Sequence, residues 1–325
     1  MRASEWWDYK LVPILSAFYA TAVILRVPLL SIGTTAVVIL LAMVPGAAYV
    51  SVINDLTDRD EDLAAGKKNR TVGKSRIAIA LLLAVTIGCG LAFSWLWRGD
   101  RLLLACYLAA WLAFSLYSIP PFRLKTRGIL GVLCDASGAH LFPTTVAAIL
   151  TFRVAHRPID PRWLAAIAAW SFAYGLRGIL WHQLTDREAD RGAGVHTLAE
   201  RHDPRVIARL GAWFVFPLEL LAFAAMLWLL RSAWPLLFLV VYLFLTRRRM
   251  SWWKMQPVVV VPKPHFFIVL HDYYEVFFPL ALLVDAAVRN PADAIVLAIH
   301  LLLFPARPLM TIKDLWKLRP GFLRA

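Results

Sequence analysis

The chain has 325 residues, of which 60% are hydrophobic and only 17% charged. Soluble domains carry roughly a quarter charged residues and less than half apolar, so this composition excludes an ordinary soluble domain and describes a polytopic membrane protein. The formal charge of +14 fits Lys and Arg gathered in cytoplasmic loops and against anionic membrane lipids, and calls for no nucleic-acid partner.

A helix needs about 20 apolar residues to cross hydrocarbon. Spans are expected at 9–28, 30–53, 76–97, 102–119, 129–151, 163–182, 207–230, 233–246, 266–288 and 294–306. The eighth and tenth are short, at about 14 and 13 residues, as half-spans or interfacial segments would be. Only helices and closed barrels satisfy the backbone in lipid, and these runs are too long for barrel strands. The fold class is therefore all-α, a transmembrane helix bundle of nine or ten spans, read as one domain over 1–325. "MRASEWWDYK" has neither the charge pattern nor the cleavage site of a signal peptide, so the first span is expected to anchor itself. Cys89, Cys106 and Cys134 fall inside apolar runs and read as small buried hydrophobes.

Past the second run comes "NDLTDRDEDLAAGKKNR", starting at Asn54. If the helix continues, Asp55, Asp58 and Asp62 share one face. Like charges so placed repel, and a hard dication would turn that repulsion into binding. Lys67 and Arg70 follow as partners for phosphate charge. After the fourth run, "YSIPPFRLKTRG" begins at Tyr117. Pro120 and Pro121 end the helix, and an extended backbone would aim Arg123, Lys125 and Arg127 the same way, as the basic half of a diphosphate site. After the sixth run, "HQLTDREADRGAGVHTL" repeats Leu-Thr-Asp-Arg and sets Asp186 and Asp190 four apart on one helical face. These loops, with Arg247, Arg248 and Arg249 after the eighth run, share one side of the membrane, which the positive-inside rule makes cytoplasmic. The basic tail, including Arg319 and Arg324, joins them if the tenth segment crosses.

Together these elements resemble the UbiA-type intramembrane prenyltransferases, the superfamily of 4-hydroxybenzoate polyprenyltransferases and chlorophyll synthases. Asn54, Asp55, Asp58 and Asp62 match the family's N-D-x-x-D-x-x-x-D, and Asp186 and Asp190 match its D-x-x-x-D. The Tyr117 loop looks like the chlorophyll-synthase variant. The resemblance implies a nine-helix bundle around a cavity open to lipid, in the cell (inner) membrane. It implies Mg²⁺ at Asp55, Asp58, Asp62, Asp186 and Asp190, with Asp58, Asp186 and Lys125 serving catalysis. Asn54, Tyr117, Lys67, Arg70, Arg123 and Lys125 would hold an isoprenyl diphosphate donor. Ionisation of its allylic C–O bond would give a cation captured by a lipophilic or aromatic acceptor. The first span lacks the Arg-Pro of many aromatic-acceptor members, and His182 and Gln183 stand where those enzymes carry other polar residues, so the acceptor stays open. Transfer of a phosphoribosyl group to a polyprenyl phosphate is a variant reading, and a divalent-cation transporter is the reading from another class. Phosphatidyl transfer is set aside, because its D-G-x-x-A-R start is absent.

Some residues stand outside the motifs. Asp135 and Arg177 lie in the fifth and sixth spans, where charges usually pair, and are expected to pair with each other ahead of a general-base role for Asp135. "HDYYEVFF", from His271, reads equally as an interfacial anchor or as part of the cavity. Glu219 and Asp285 receive no role, and the remaining histidines show no metal spacing.

Overall fold

The computed structural model describes residues 6–64, 66 and 68–317. Lys67, Arg319 and Arg324 lie outside the described residues. Seven helices are long and apolar enough to cross a membrane: α1 (Trp7–Leu25), α2 (Leu30–Thr57), α3 (Arg76–Leu96), α4 (Arg101–Ser118), α5 (Ile129–Val154), α6 (Pro161–Gly192) and α7 (Pro204–Leu230). They are followed by α8 (Trp234–Trp252), α9 (Phe278–Arg289), α10 (Ala294–Leu303) and α11 (Ala306–Lys317). Pro291–Leu303 and Ala306–Trp316 meet at 87° and make an eighth span only if that bent pair is counted as one.

α2 and α6 outrun their expected spans, and both differences matter for the site. α2 continues to Thr57 and α6 to Gly192, so each carries its acidic motif on or at the end of a helix. The segment expected to be the ninth span turns helical later than expected. Residues 266–268 form a short strand (β2, Phe266–Ile268) paired in parallel with β1 (Gln256–Val258), in the register Gln256 to Phe266. The segment between them docks on α7: a Cβ at Gly211 would stand 2.6 Å from Val260 Cγ2, so the helix there tolerates only hydrogen.

Four π turns recur, and the sequence explains them. Trp7–Leu11, Ser137–Leu141, Gly211–Val215 and Tyr273–Phe277 each end two residues before a proline: Pro13, Pro143, Pro217 and Pro279. Proline offers no N–H to the carbonyl four residues earlier and its ring crowds that carbonyl. The ladder relaxes to the wider π spacing just before it. These bulges place His140 and Glu275, to which the cavity returns.

α1 packs on α5 and α9, α6 on α5 and α7, α2 on α3 and α4, and α8 on α9. In lipid, helices associate through close packing rather than through water exclusion. The interior is accordingly dense with aromatic rings. Trp163 and Trp170 are fully buried, Trp163 Nε1 donates to Thr21 Oγ1 at 3.0 Å, and Trp170 stacks on Tyr174 at 6.1 Å. Only 11% of the apolar window of α3 is buried, against 72% for α1. α3 is thus a peripheral, lipid-facing helix and α1 a central one.

Candidate active site

Two cavities adjoin, both lined by Asn54, Tyr117, Ile179 and His182. The smaller, about 490 Å³, is polar. Asp58, Glu61 and Asp62 line one side, Asp186 and Asp190 another, and Lys68, Arg70 and Lys125 stand among them. The larger, about 950 Å³, is lined by rings such as Tyr49, Trp111, Phe114 and Trp181, with Asp135, His140, His271, Asp272 and Glu275 at polar points.

The first motif does not continue as an unbroken helix. Asp58 caps α2 with φ −104°, and a short helix, Arg59–Ala64, follows. The ladder nevertheless bridges the break, since Asp58 N donates to Asn54 O at 2.9 Å and Asp62 N to Asp58 O at 2.8 Å. The returning loop is stitched down by Asn69, whose Nδ2 donates to Asp55 O at 2.6 Å and to Asp62 Oδ2 at 2.9 Å. Asp55 is buried, and it is not among the residues lining the acidic cavity. Ser118 Oγ donates to Asn54 Oδ1, tying the end of α4 to α2.

Lys125 Nζ donates to Asp58 Oδ1 and, at 3.3 Å, to Glu61 Oε2. Arg123 Nη2 reaches Glu61 Oε1 at 2.7 Å and Asp58 Oδ1 at 3.3 Å. The extended backbone expected here is not what forms. Arg123 has a left-handed φ of 38° and Leu124–Thr126 is a 3₁₀ turn. That turn keeps Arg123 and Lys125 together on Asp58 and Glu61 and sends Arg127 away, where it donates to Pro121 O at 2.8 Å. Glu61 is the residue the motif reading passed over. It is three residues beyond Asp58, the helical spacing that shares a face.

On α6, Val195 N donates to Asp190 O at 2.8 Å and Thr197 Oγ1 to Asp190 Oδ2 at 3.4 Å. The "GAGVHTL" stretch thus folds back over the acidic turn. Ala199 N donates to Gln183 Oε1 at 3.3 Å. At the rim, a hydrogen bond to His196 and the charge of Arg191 hold Glu200 below the usual carboxylate range.

The expected Asp135–Arg177 pair does not form. Arg177 makes a two-pronged pair with Glu219, at 2.6 and 2.7 Å, and donates to Val269 O at 2.9 Å. Asp135 lines the larger cavity. Asp285 pairs with Arg289 one helical turn on, at 2.8 Å. The His271 segment reaches the cavity, as one of its two readings held.

Among the described residues no three His, Cys, Asp or Glu side chains converge on a ready-made metal cage. The carboxylates that line the polar cavity suit Mg²⁺, a hard cation that keeps waters and binds through one or two carboxylates together with substrate phosphates.

A central apolar cavity, opening onto an acidic and basic chamber within a bundle of membrane helices, is the architecture of an intramembrane transferase of lipid diphosphates. The sequence matches the UbiA prenyltransferase family over residues 11–269, and the chain belongs to that family of prenyl-transferring enzymes. A lycopene elongase/hydratase of Halobacterium salinarum is 31% identical over 194 residues, which cover 59% of this chain and 62% of the relative. The chain therefore spans less than two thirds of that relative's length. A UbiA homolog from Archaeoglobus fulgidus bound to GPP and Mg²⁺ superposes with a TM-score of 0.56 at 15% identity, covering 90% of this chain and 97% of that one. The homolog bound to DMAPP and Mg²⁺ gives 0.53, covering 88% and 97%. These likenesses establish the shared fold.

Proposed function

We propose that this chain transfers an isoprenyl group from a Mg²⁺-bound prenyl diphosphate to a lipophilic acceptor, as a single domain in the inner membrane with its Asp motifs cytoplasmic. One observation carries the reading: carboxylates from α2 and α6 line one polar cavity that opens directly into an apolar one. The polar chamber suits a diphosphate and its metal, and the aromatic chamber suits the hydrocarbon.

Asp58, Asp62, Asp186 and Asp190 would hold Mg²⁺ jointly with phosphate oxygens, Asp55 supporting them from behind. When bound, Mg²⁺ supplies neutralisation of charge growing on the leaving diphosphate. Lys125 and Arg123 now hold Asp58 and Glu61. The same cations, alongside Arg70, would be placed to take phosphate oxygens and to stabilise the leaving group. Asn54 and Tyr117, which line both cavities, sit where the C–O bond would break. Apolar walls keep water from the allylic cation, and ring faces such as Trp111 and Tyr49 attract positive charge.

The named relatives favour a short donor and a polyene acceptor: the Archaeoglobus homolog carries GPP or DMAPP, and the Halobacterium relative is a lycopene elongase/hydratase. The test is diphosphate release by the protein in nanodiscs with Mg²⁺ and dimethylallyl, geranyl, farnesyl or geranylgeranyl diphosphate, with and without lycopene. Release from one donor, lost in Asp58→Asn and Asp186→Asn, is the expected result. No release and no Mg²⁺-dependent donor binding by folded protein would overturn the reading.

A further inference from the structure

The larger cavity holds polar groups that donor binding leaves unused. His140 lies in the π turn of α5 forced by Pro143, and Glu275 in the π turn forced by Pro279. Such bulges are frequent at functional sites. Tyr174, on α6, stands between two imidazoles: its ring centroid is 5.0 Å from that of His140 and 5.3 Å from that of His271. Both histidines line the cavity. Each keeps one buried ring nitrogen, Nδ1 of His140 and Nε2 of His271, with no hydrogen-bond partner among the described residues. Only 8% of His140 is exposed. Buried polar atoms are normally paired, so two such nitrogens on one apolar cavity point to something that they contact during the reaction.

His271 has a feature that His140 lacks. Its Nδ1 is 3.8 Å from Oε1 of Glu275, a fully buried carboxylate. Glu275 is fixed by Tyr174 Oη, donating at 3.1 Å, and by Arg307 Nη2 at 2.7 Å. At 3.8 Å from His271 Nδ1, longer than a hydrogen bond, the carboxylate still sets negative charge behind one ring nitrogen, which steadies the cation that forms when the other nitrogen takes a proton. The position of His140 is also built in. A Cβ at Gly175 would meet His140 Cδ2 and Ala136 O, both at 3.0 Å, so glycine lets α6 press against the π turn.

We propose that His271, with the Glu275 carboxylate set behind it, is the base that receives the proton released in prenyl transfer, with His140 and Tyr174 shaping the place where it is released. This rests on the donor reading above. The allylic C–O bond breaks and its electron pair leaves with the diphosphate. The acceptor's π electrons then form the new C–C bond, leaving a cation on the acceptor. A C–H bond beside that cation gives its electron pair to a new double bond, and the proton passes to Nε2 of His271. The imidazolium, held against Glu275, returns the proton to water after product leaves.

The proposal can be tested without knowing the acceptor. With geranyl diphosphate and Mg²⁺ alone, the ionised C10 cation either loses a proton to a base, giving a triene, or adds water, giving an alcohol. The full chain in nanodiscs is expected to form triene together with alcohol. His271→Ala and the milder His271→Gln, which keeps a polar side chain but cannot take the proton, should lower the triene-to-alcohol ratio by about 100-fold or more, the range for loss of a general base. Diphosphate release and geranyl diphosphate binding should stay within about threefold, a split that a merely structural role would not produce. An unchanged ratio in folded His271→Gln, or alcohol as the sole wild-type product, would overturn the assignment of His271 and leave the donor reading standing. Absence of diphosphate release from wild-type protein would overturn the donor reading itself.

Discussion

Two clusters of paired acids and bases, one between the end of α2 and the α4–α5 loop and one between α6 and α7, are built to different ends. Asp58, Glu61 and Lys125 line a polar cavity, and Arg123 pairs with the two acids from behind it. Asp58, Glu61 and Arg123 keep a fifth to a quarter of their side-chain surface exposed, and each cation is shared between two acids. Arg177 and Glu219 have no exposed surface and satisfy each other through two parallel hydrogen bonds, with the Phe216 ring 5.3 Å from the guanidinium. Arg177 spends a third bond on Val269 O, which ties α6 and α7 to the segment just before His271. Shared pairs that reach a polar cavity can be exchanged when a phosphate arrives. A closed, dry pair cannot, because either ion left alone in a low-dielectric interior is costly.

Substitutions should separate the two. Asp186→Asn, or Asp58→Asn, is expected to cut diphosphate release at least about 100-fold, as loss of an electrostatic stabiliser of the transition state does. The protein should fold and unfold as before. Arg177→Met or Glu219→Gln should instead cost about 3–5 kcal/mol, since one partner leaves a buried charge uncompensated. The measurement is thermal unfolding in detergent together with the yield of monodisperse protein. Combining Arg177→Met with Glu219→Leu should regain most of that loss, because an apolar pair of similar volume removes both charges. Combining Asp58→Asn with Lys125→Met should regain no activity. A stable but inactive Glu219→Gln would erase the distinction.

The polar chamber was the more legible of the two cavities. Its residues lie in compact motifs, where helical spacing alone puts Asp186 beside Asp190 and Asp62 one turn beyond Asp58. What spacing cannot give is the partner of an intramembrane charge. Asp135 and Glu219 were both available to Arg177, and only the packing of α7 on α6 brings Glu219 within reach. The parallel β1–β2 pair was hidden for a related reason: three-residue strands in an apolar run carry no period to read. Arg127 was misjudged because the left-handed φ at Arg123 breaks the alternation of an extended chain. The π turns, by contrast, carried a local signal in each internal proline, and they position His140 and Glu275.

The close approach at Gly175 joins the two regions, since it fixes the spacing of α6 against α5. Gly175→Ala should cost about 1–3 kcal/mol, the usual range for overpacking. The backbone oxygen of Ala136, at 3.0 Å from the new Cβ, cannot swing aside as a side chain could. His140, at the same distance, should be displaced with it, so the triene-to-alcohol ratio should move along with stability. A loss of stability with no change in that ratio would separate His140 from the site of proton release.

The smallest effect is expected where an ion pair is most easily spared. α11 is held over the larger cavity by Asp314, which accepts from Arg249 Nη2 at 2.7 Å, and by Arg307, which donates to Asp272 and Glu275. Asp314 keeps 27% of its side chain exposed, and Arg249 retains Asp272 at 2.5 Å when Asp314 is neutralised. No charge is then stranded, so Asp314→Asn should cost no more than about 1 kcal/mol. Global unfolding should shift little. Local opening of α11 should become up to about fivefold more frequent, from the same free energy converted at 1.36 kcal/mol per tenfold. Hydrogen exchange over 306–316 reads this directly, because amides there report local opening rather than global unfolding. Equal exchange in wild type and variant would show that Arg307 alone keeps α11 in place, and would move the attachment of this helix from the Arg249 cluster to Glu275.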